Sequence, residues 1–582
     1  MFALGLLAIL QITALPGAML TMRLQFDTLL ARVVAVFCTS LVFNYAIVLI
    51  LTLCHHYQHN VVLVFVAVEL LLLAWQIWRA TGKASSPTKL KPPAPDLFTA
   101  AALTLTTVII AVQTWLWWNE IGDVFSAYDA IASWNRWAVT LAKNQLPVGT
   151  YNYPQLLPAN WSLAYVITDA REGELFARAV MGAFPSLILV AIADLQRRWR
   201  QPWLAASAAL AFVLLNNMFN KMQFDGMADI PVAAVSFAGL YFLLLARDSI
   251  KPAPLVVMAG VALGASCVTK QAGLFISVLA IVWVLSDKKL RGAVLSTRRA
   301  GLFAFLFVLF CMAHWYGIRM FTERSQDGKL VGYLTNDIHQ GRGLGERMSH
   351  GLDLIYFYVR SPWFWGAVTT ALAAGLSHPL AARLLLNFTL PFLMLWLLSF
   401  SYDIRNIASI IPTVALCAGL GCERIAHGLL RCFRWVMSLA SRKRLLRAAL
   451  LSAVLTFTLI SFCFSNESVT SSFRAARRCS GNPELNRIIR EQTLAGGQIL
   501  TSYLNLTIQP GMEKRVVYAG RPLVDNAKGI SAYPWIVVET KPSPEDNEVL
   551  QRLIKDGLLQ SLGASGGFVL YRNTLAPVDK PK

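Results

Sequence analysis

Five ionisable residues sit where a chain this apolar should avoid them. Asp129 lies early in YDAIASWNRWAVTLAKNQLPVGTYNYPQLLPANW, between two hydrophobic runs. Asp229 follows in GMADIP, Arg178 in ELFARAV, Lys270 in GASCVTKQAG and Arg405 in SYDIRNIASIIP. Charges beside apolar runs are costly and mark functional sites. Gathered at one place, these types suit a definite chemistry. Cations neutralise the charge developing on a phosphate leaving group, and a positioned carboxylate takes the proton of a weakly nucleophilic hydroxyl. Asp129 and Asp229 are therefore the candidate catalytic residues, and Arg178, Lys270 and Arg405 the candidates for holding a phosphate.

Each residue also has a plainer reading. Ser126-Ala127-Tyr128-Asp129 has the spacing of a capping box, so Asp129 would cap its helix. Asp229, just before Ile230-Pro231, would cap the next one. Lys270 would be a boundary lysine that snorkels. Arg405 would pair with Asp403 or Glu423, although Asp403 is too close in sequence to be an ideal partner. Asp225 reads as a loop residue. Ile131, Trp134, Trp137, Ala138 and Leu141 form an apolar stripe after Asp129, expected to lie in the membrane interface. The spacing of HHYQH at 55–59 allows a metal, but no carboxylate or cysteine pattern stands beside it. Glu69, inside an apolar span, calls for a partner on another helix.

The elements that must position these residues follow from composition. Of 582 residues, 56% are hydrophobic and 14% charged, against about a quarter charged in soluble domains. The bilayer must be the solvent for much of the chain. The net charge of +20 falls in short blocks between apolar spans, the pattern of the positive-inside rule, and argues against nucleic acid as a partner. The nine cysteines show no metal or disulfide spacing. About fourteen windows are apolar enough to span, centred near Ile9, Phe43, Val68, Val108, Ser186, Leu210, Ala238, Met258, Leu279, Val308, Val368, Leu393, Val414 and Thr456. The expected fold is a polytopic α-helical membrane bundle of about 12–14 transmembrane helices with a small C-terminal α/β extracytoplasmic domain.

The basic loops 79–91, 197–200, 288–299 and 431–447 fall on one side, assigned to the cytoplasm, so the five candidates face outward. Three units are expected. Residues 1–96 hold N-terminal membrane helices and a cytoplasmic linker of ASSPTKLKPPAP composition. Residues 97–464 form a membrane core with outer loops, and 465–582 an outer α/β domain. In the last, helices are predicted at 483–494 and 546–559 and strands at 498–505, 514–518, 535–539 and 567–572. The polar, Gly-rich stretch 319–353 reads as a long loop covering the site.

In order along 97–420, the segment after Tyr128, ELFARAV, GMADIPVAA, GASCVTKQAG and IRNIASIIPTVALCAG resemble the GT-C superfamily of polyprenyl-phosphate-sugar glycosyltransferases. That superfamily includes the protein O-mannosyltransferases and the lipid A aminoarabinose transferases. The resemblance implies a GT-C-like helical core in a bacterial inner membrane. It also implies inverting transfer of a sugar from a polyprenyl-phosphate donor to a hydroxyl of a glycan, lipid or protein on the outer face. Asp129 matches the acid of the first outer loop, which would act as base. Arg178, Lys270 and Arg405 match positions suited to the donor phosphate. Many relatives carry a second acid beside the first, whereas Ala130 follows Asp129 here, leaving Asp229 or Asp123 to supply it. No cofactor is required with certainty, and a divalent metal is admissible. Three other readings stay open: a transporter or flippase, which predicts internal repeats and midplane charges, a polysaccharide polymerase or ligase centred on the arginines of 319–353, and a non-enzymatic scaffold for an envelope complex, which predicts that all the outer charges are dispensable.

Overall fold

A computed structural model describes residues 2–81, 97–150, 153–169, 172–322, 343–358, 362–400, 403–434, 482–494, 496–509, 511–512, 515–519, 533–565 and 567–576. The long apolar segments fold as helices, because in hydrocarbon each backbone polar group must bond within its own segment. Every predicted centre from Ile9 to Val414 falls inside a helix; the one at Thr456 lies outside the described residues. Among the described residues, eight helices are long and apolar enough to cross a membrane, or nine if the bent pair Phe2–Thr13 and Leu15–Thr21 forms one span. The helices near Leu210, Met258, Leu279 and Val368 are shorter. A further short helix, Leu156–Ile167, is buried along its whole length; at 12 residues it is too short to stand out as a membrane-length window. The chain is a multi-pass membrane protein.

Asp229–Arg247 is buried from Asp229 to Ala246 and forms the centre of the bundle, flanked by Ala183–Trp199 and Ala253–Cys267. Amide side chains satisfy one another inside it. Gln113 donates to Gln223 (3.1 Å), Gln223 to Asn216 (2.6 Å) and Asn216 back to Gln113 (3.1 Å), a closed cycle. The N-terminal helices pack onto this core. Asn160 donates to the Leu41 carbonyl at 3.0 Å, and the Tyr57 and Ser162 hydroxyls meet at 2.8 Å. Glu69 is buried and bonds to Gln11 on another helix. In HHYQH, the His59 ring bonds to the Val166 carbonyl at 2.7 Å.

The basic loops 197–200 and 288–299 lie together at one end. Arg198 bonds to Asp194 (2.6 Å) and Asp27 (2.9 Å), and Lys289 approaches Asp248 (3.9 Å). Asp287 ties three helices there: it accepts from the Leu290 amide (2.9 Å), from Arg247 Nε (3.3 Å) and from Arg383. Loss of a helix cap costs about 1 kcal/mol, and a half-exposed ion pair adds a comparable amount. Asp287→Ala is therefore expected to lower stability by about 2 kcal/mol, read as an earlier thermal transition in detergent.

The expectation of a long loop over 319–353 needs correction. Helix Arg298–Thr322 runs through Arg319, and Leu344–Tyr358 is helical. Apolar periodicity continues into both ends despite their arginines. Residues 323–342 lie outside the described set.

After residue 481 a five-stranded sheet forms: β1 Ile499–Thr501, β2 Val516–Tyr518, β3 Trp535–Glu539, β4 Leu559–Ser565 and β5 Phe568–Asn573. Its order is β2-β1-β3-β5-β4, with β1 parallel to β2 and β3 and β5 antiparallel to β3 and β4. Alternation sorts the strands onto two faces. Ile499, Trp535 and Val537 pack with Leu485 and Ile489 of helix Asn482–Gln492. Leu500, Ile536 and Val538 pack with Leu550 of helix Pro544–Lys555. The sequence LQSLGAS lacks that alternation, so β4 was not predicted. The strand predicted at 498–505 ends at Thr501, and Leu504–Ile508 is a 3-10 turn.

Candidate active site

Away from the basic loops, the starts of several helices bring ionisable residues together. Asp129 precedes a π-helical turn, Ala130–Asn135, that continues as Arg136–Ala142. Wide turns of this kind re-aim side chains and recur at functional sites. Asp129 makes no capping bond. Its carboxylate, 44% exposed, meets Arg405 Nη2 at 2.9 Å. The apolar stripe behind it lies within the protein rather than in the membrane interface: Ile131, Trp134, Trp137, Ala138 and Leu141 are all buried. They pack on Leu156–Ile167 and on Tyr153, whose ring stands 5.3 Å from Trp134.

Arg405 opens the 3-10 turn Ile404–Ile410. Asp403 stays extended ahead of it, and its carboxylate accepts from the Arg405 backbone N–H (2.9 Å), from Nε (2.7 Å) and from Nη2. Closeness in sequence is no obstacle in that conformation, and Arg405 pairs with Asp403 as well as with Asp129. Burial would raise the Asp403 carboxyl, but the Arg405 side chain and backbone N–H outweigh it and hold it below the usual carboxylate range. Arg405 Nη1 also contacts the Met227 sulfur at 3.1 Å.

Lys270 caps the tight hairpin between Ala253–Cys267 and Gln271–Ser286 with extended backbone. The Val268 carbonyl accepts from the Leu156 amide at 2.9 Å, which fixes the hairpin to the end of the Asp129 segment. Lys270 Nζ donates to Asp229 at 2.6 Å. Asp229 sits in the first turn of its helix, where a carboxylate complements the helix dipole. The charge of Asp229 reaches Arg405, and that of Lys270 reaches Asp403. Asp129, Asp229, Lys270, Asp403 and Arg405 thus form one electrostatic group.

Arg178 belongs to a neighbouring group. It is 4% exposed, donates to the Glu120 carboxylate (2.7 Å) and carbonyl (2.6 Å), and lies 3.7 Å from both Asp123 and Asp225. Asp225 in turn accepts from the Ser126 N–H (2.7 Å) and hydroxyl (2.6 Å). Burial pushes the Asp225 carboxyl above its usual range, with Arg178 and Ser126 pulling it back. Sequence reading missed Glu120 and Glu174. Glu174 stands four residues before Arg178, a spacing that suggests a helical ion pair; in the fold each turns to other partners.

Gly226 sets how closely the 225–229 turn approaches. Its φ is +81°, and an added Cβ would lie 2.6 Å from the Phe125 ring and 2.8 Å from Ala130 Cβ. Gly226→Ala is expected to cost about 2–4 kcal/mol through left-handed strain and overpacking. Thermal unfolding in detergent would read it. Among the described residues, no three His, Cys, Asp or Glu side chains gather to hold a metal ion.

No protein-family model matches the sequence, and no curated protein does. Solved structures do match. ArnT from Cupriavidus metallidurans bound to undecaprenyl phosphate superposes with a TM-score of 0.52 at 13% identity, over 81% of this chain and 99% of that one. Its apo state gives 0.51 at 14% identity, over 82% and 100%. The likeness is one of architecture: this chain is a polytopic helical membrane protein with the fold of ArnT and a small C-terminal sheet region.

Proposed function

We propose that the protein is a membrane glycosyltransferase that moves a sugar, with inversion, from a polyprenyl-phosphate donor to an acceptor hydroxyl on the outer face of the membrane. The observation that carries this reading is the contact of half-exposed Asp129 with Arg405, with Lys270 beside them, in the fold of a protein solved with undecaprenyl phosphate.

In this reading Asp129 is the base. The acceptor oxygen attacks the anomeric carbon from the face opposite the phosphate and its proton passes to Asp129. The bond from that carbon to the phosphate oxygen breaks, and the electron pair leaves with the lipid phosphate. Lys270 and Arg405 neutralise the charge that develops there. Asp229 serves as the second carboxylate and orients Lys270. Arg178 takes a different role from the one its sequence position suggests: enclosed by Glu120, Asp123 and Asp225, it holds the loop before Asp129. The acceptor is a glycan, lipid or protein hydroxyl. The basic loops at the other end support a cytoplasmic-membrane orientation with the site and the C-terminal region outside.

The test is transfer from a panel of radiolabelled polyprenyl-phosphate sugars in proteoliposomes. Wild type is expected to release label from at least one donor and empty liposomes from none. Folded wild-type protein that releases none would overturn the reading.

A further inference from the structure

Phe125 and Ser126, a few residues before Asp129, are held from three directions. Buried Glu174 accepts from the Phe125 N–H at 3.1 Å, from Asn505 Nδ2 at 2.6 Å and from Gln509 Nε2 at 2.6 Å. The same Asn505 nitrogen donates to the Phe125 carbonyl at 3.1 Å. Its oxygen accepts from Gln509 (2.8 Å) and Asn486 (3.1 Å), so the amide cannot swing away. Ser126 is bonded by Asp225 on the other side. The turn Leu504–Ile508 packs directly on the π-helical turn Ala130–Asn135.

We infer that Asn505 and Gln509 of the C-terminal region, acting through Glu174, are positioning residues that set Asp129 against Arg405; this rests on the transferase reading above. The chemistry of the side chain explains why position 505 is an amide. Asn505 gives one N–H to Glu174 and the other to the Phe125 carbonyl, and its oxygen takes three donors, from Gln509, Asn486 and the Tyr503 hydroxyl at 3.3 Å. An aspartate has the same shape but no donor, and would face both acceptors unpaired. The C-terminal region thereby completes the site instead of merely lying beside it.

The experiment compares Asn505→Asp, Asn505→Ala and wild type, with Ser543→Ala as control. Ser543 caps helix Pro544–Lys555, which packs on the other face of the sheet, so its loss weakens the C-terminal region without touching the junction. Hydrogen–deuterium exchange over residues 123–127 is read alongside turnover and KM for the lipid donor. Both Asn505 variants are expected to exchange ~10-fold faster or more over 123–127, while Ser543→Ala does not. Turnover should fall ~100-fold with KM for the donor nearly unchanged, the signature of a displaced base. Unchanged protection in the Asn505 variants overturns the inference, and so does lost protection with normal turnover. If wild type transfers no sugar, the transferase reading fails, and the exchange comparison alone decides whether the C-terminal region holds the segment.

Discussion

Asp129→Asn is expected to abolish transfer, lowering turnover by about 100- to 10,000-fold, while the protein folds and melts as wild type does. The substitution keeps size and shape. Asp129 makes no capping bond and is half exposed, and Arg405 keeps Asp403 as a partner, so no helix end is lost and no buried charge is left unpaired. Asparagine still offers an oxygen to Arg405 but cannot take a proton from the acceptor. Donor binding should therefore survive, and photo-crosslinking to a lipid-phosphate probe would show it. A folded Asn variant with normal turnover would falsify the assignment of Asp129 as base.

Arg405→Gln is the second large effect, and a different one. Both turnover and donor binding should fall, turnover by about 100- to 1,000-fold, as for loss of a donor aimed at developing charge. The guanidinium bridges Asp129 and Asp403 through Nη2, holds Asp403 a second time through Nε and touches Met227 with Nη1. Arg405→Lys should rescue only in part, because an ammonium cannot reproduce the paired Nε and Nη2 contact to Asp403 while also reaching Asp129 and Met227. There is also a pH signature. With Arg405 in place, Asp403 stays ionised to lower pH than an ordinary carboxylate. Without its side chain burial is opposed only by the backbone N–H at position 405 and the charge of Lys270, so Asp403 protonates at higher pH and the acid limb of the rate profile should move up. An unmoved acid limb would separate Arg405 from Asp403 in function.

Which parts of this were legible in the sequence follows from the range of the forces involved. Helix placement was, since a membrane-length apolar run has one solution in lipid, and the Lys270 hairpin was, since two runs meet with a single charge between them. Leu156–Ile167 was not, because its helix is shorter than the bilayer and hidden by other helices. The stripe at Trp134 and Trp137 was read correctly as apolar on one face, but periodicity cannot say whether lipid or protein covers that face. The five candidate residues were visible as charges out of place. Their pairing was not, because Asp129 meets Arg405, and Asp229 meets Lys270, only after the bundle closes. Arg178 shows the limit most clearly. A cation beside an apolar span looks the same in sequence whether it waits for a phosphate or is surrounded, as here, by the protein's own carboxylates.

The burial of Asn505 matters for how the protein can be produced. Asn505-Leu506-Thr507 is an N-glycosylation sequon, yet in the fold the Asn505 side chain is fully enclosed and its amide is occupied by Glu174, Phe125, Gln509 and Asn486. A glycan needs that nitrogen free and accessible. In a host whose secretory pathway glycosylates such sequons, sugar attached at Asn505 would record a chain caught before its C-terminal turn docked. The glycosylated band on a gel would then count the molecules that failed to assemble, and the unmodified band would hold the native ones.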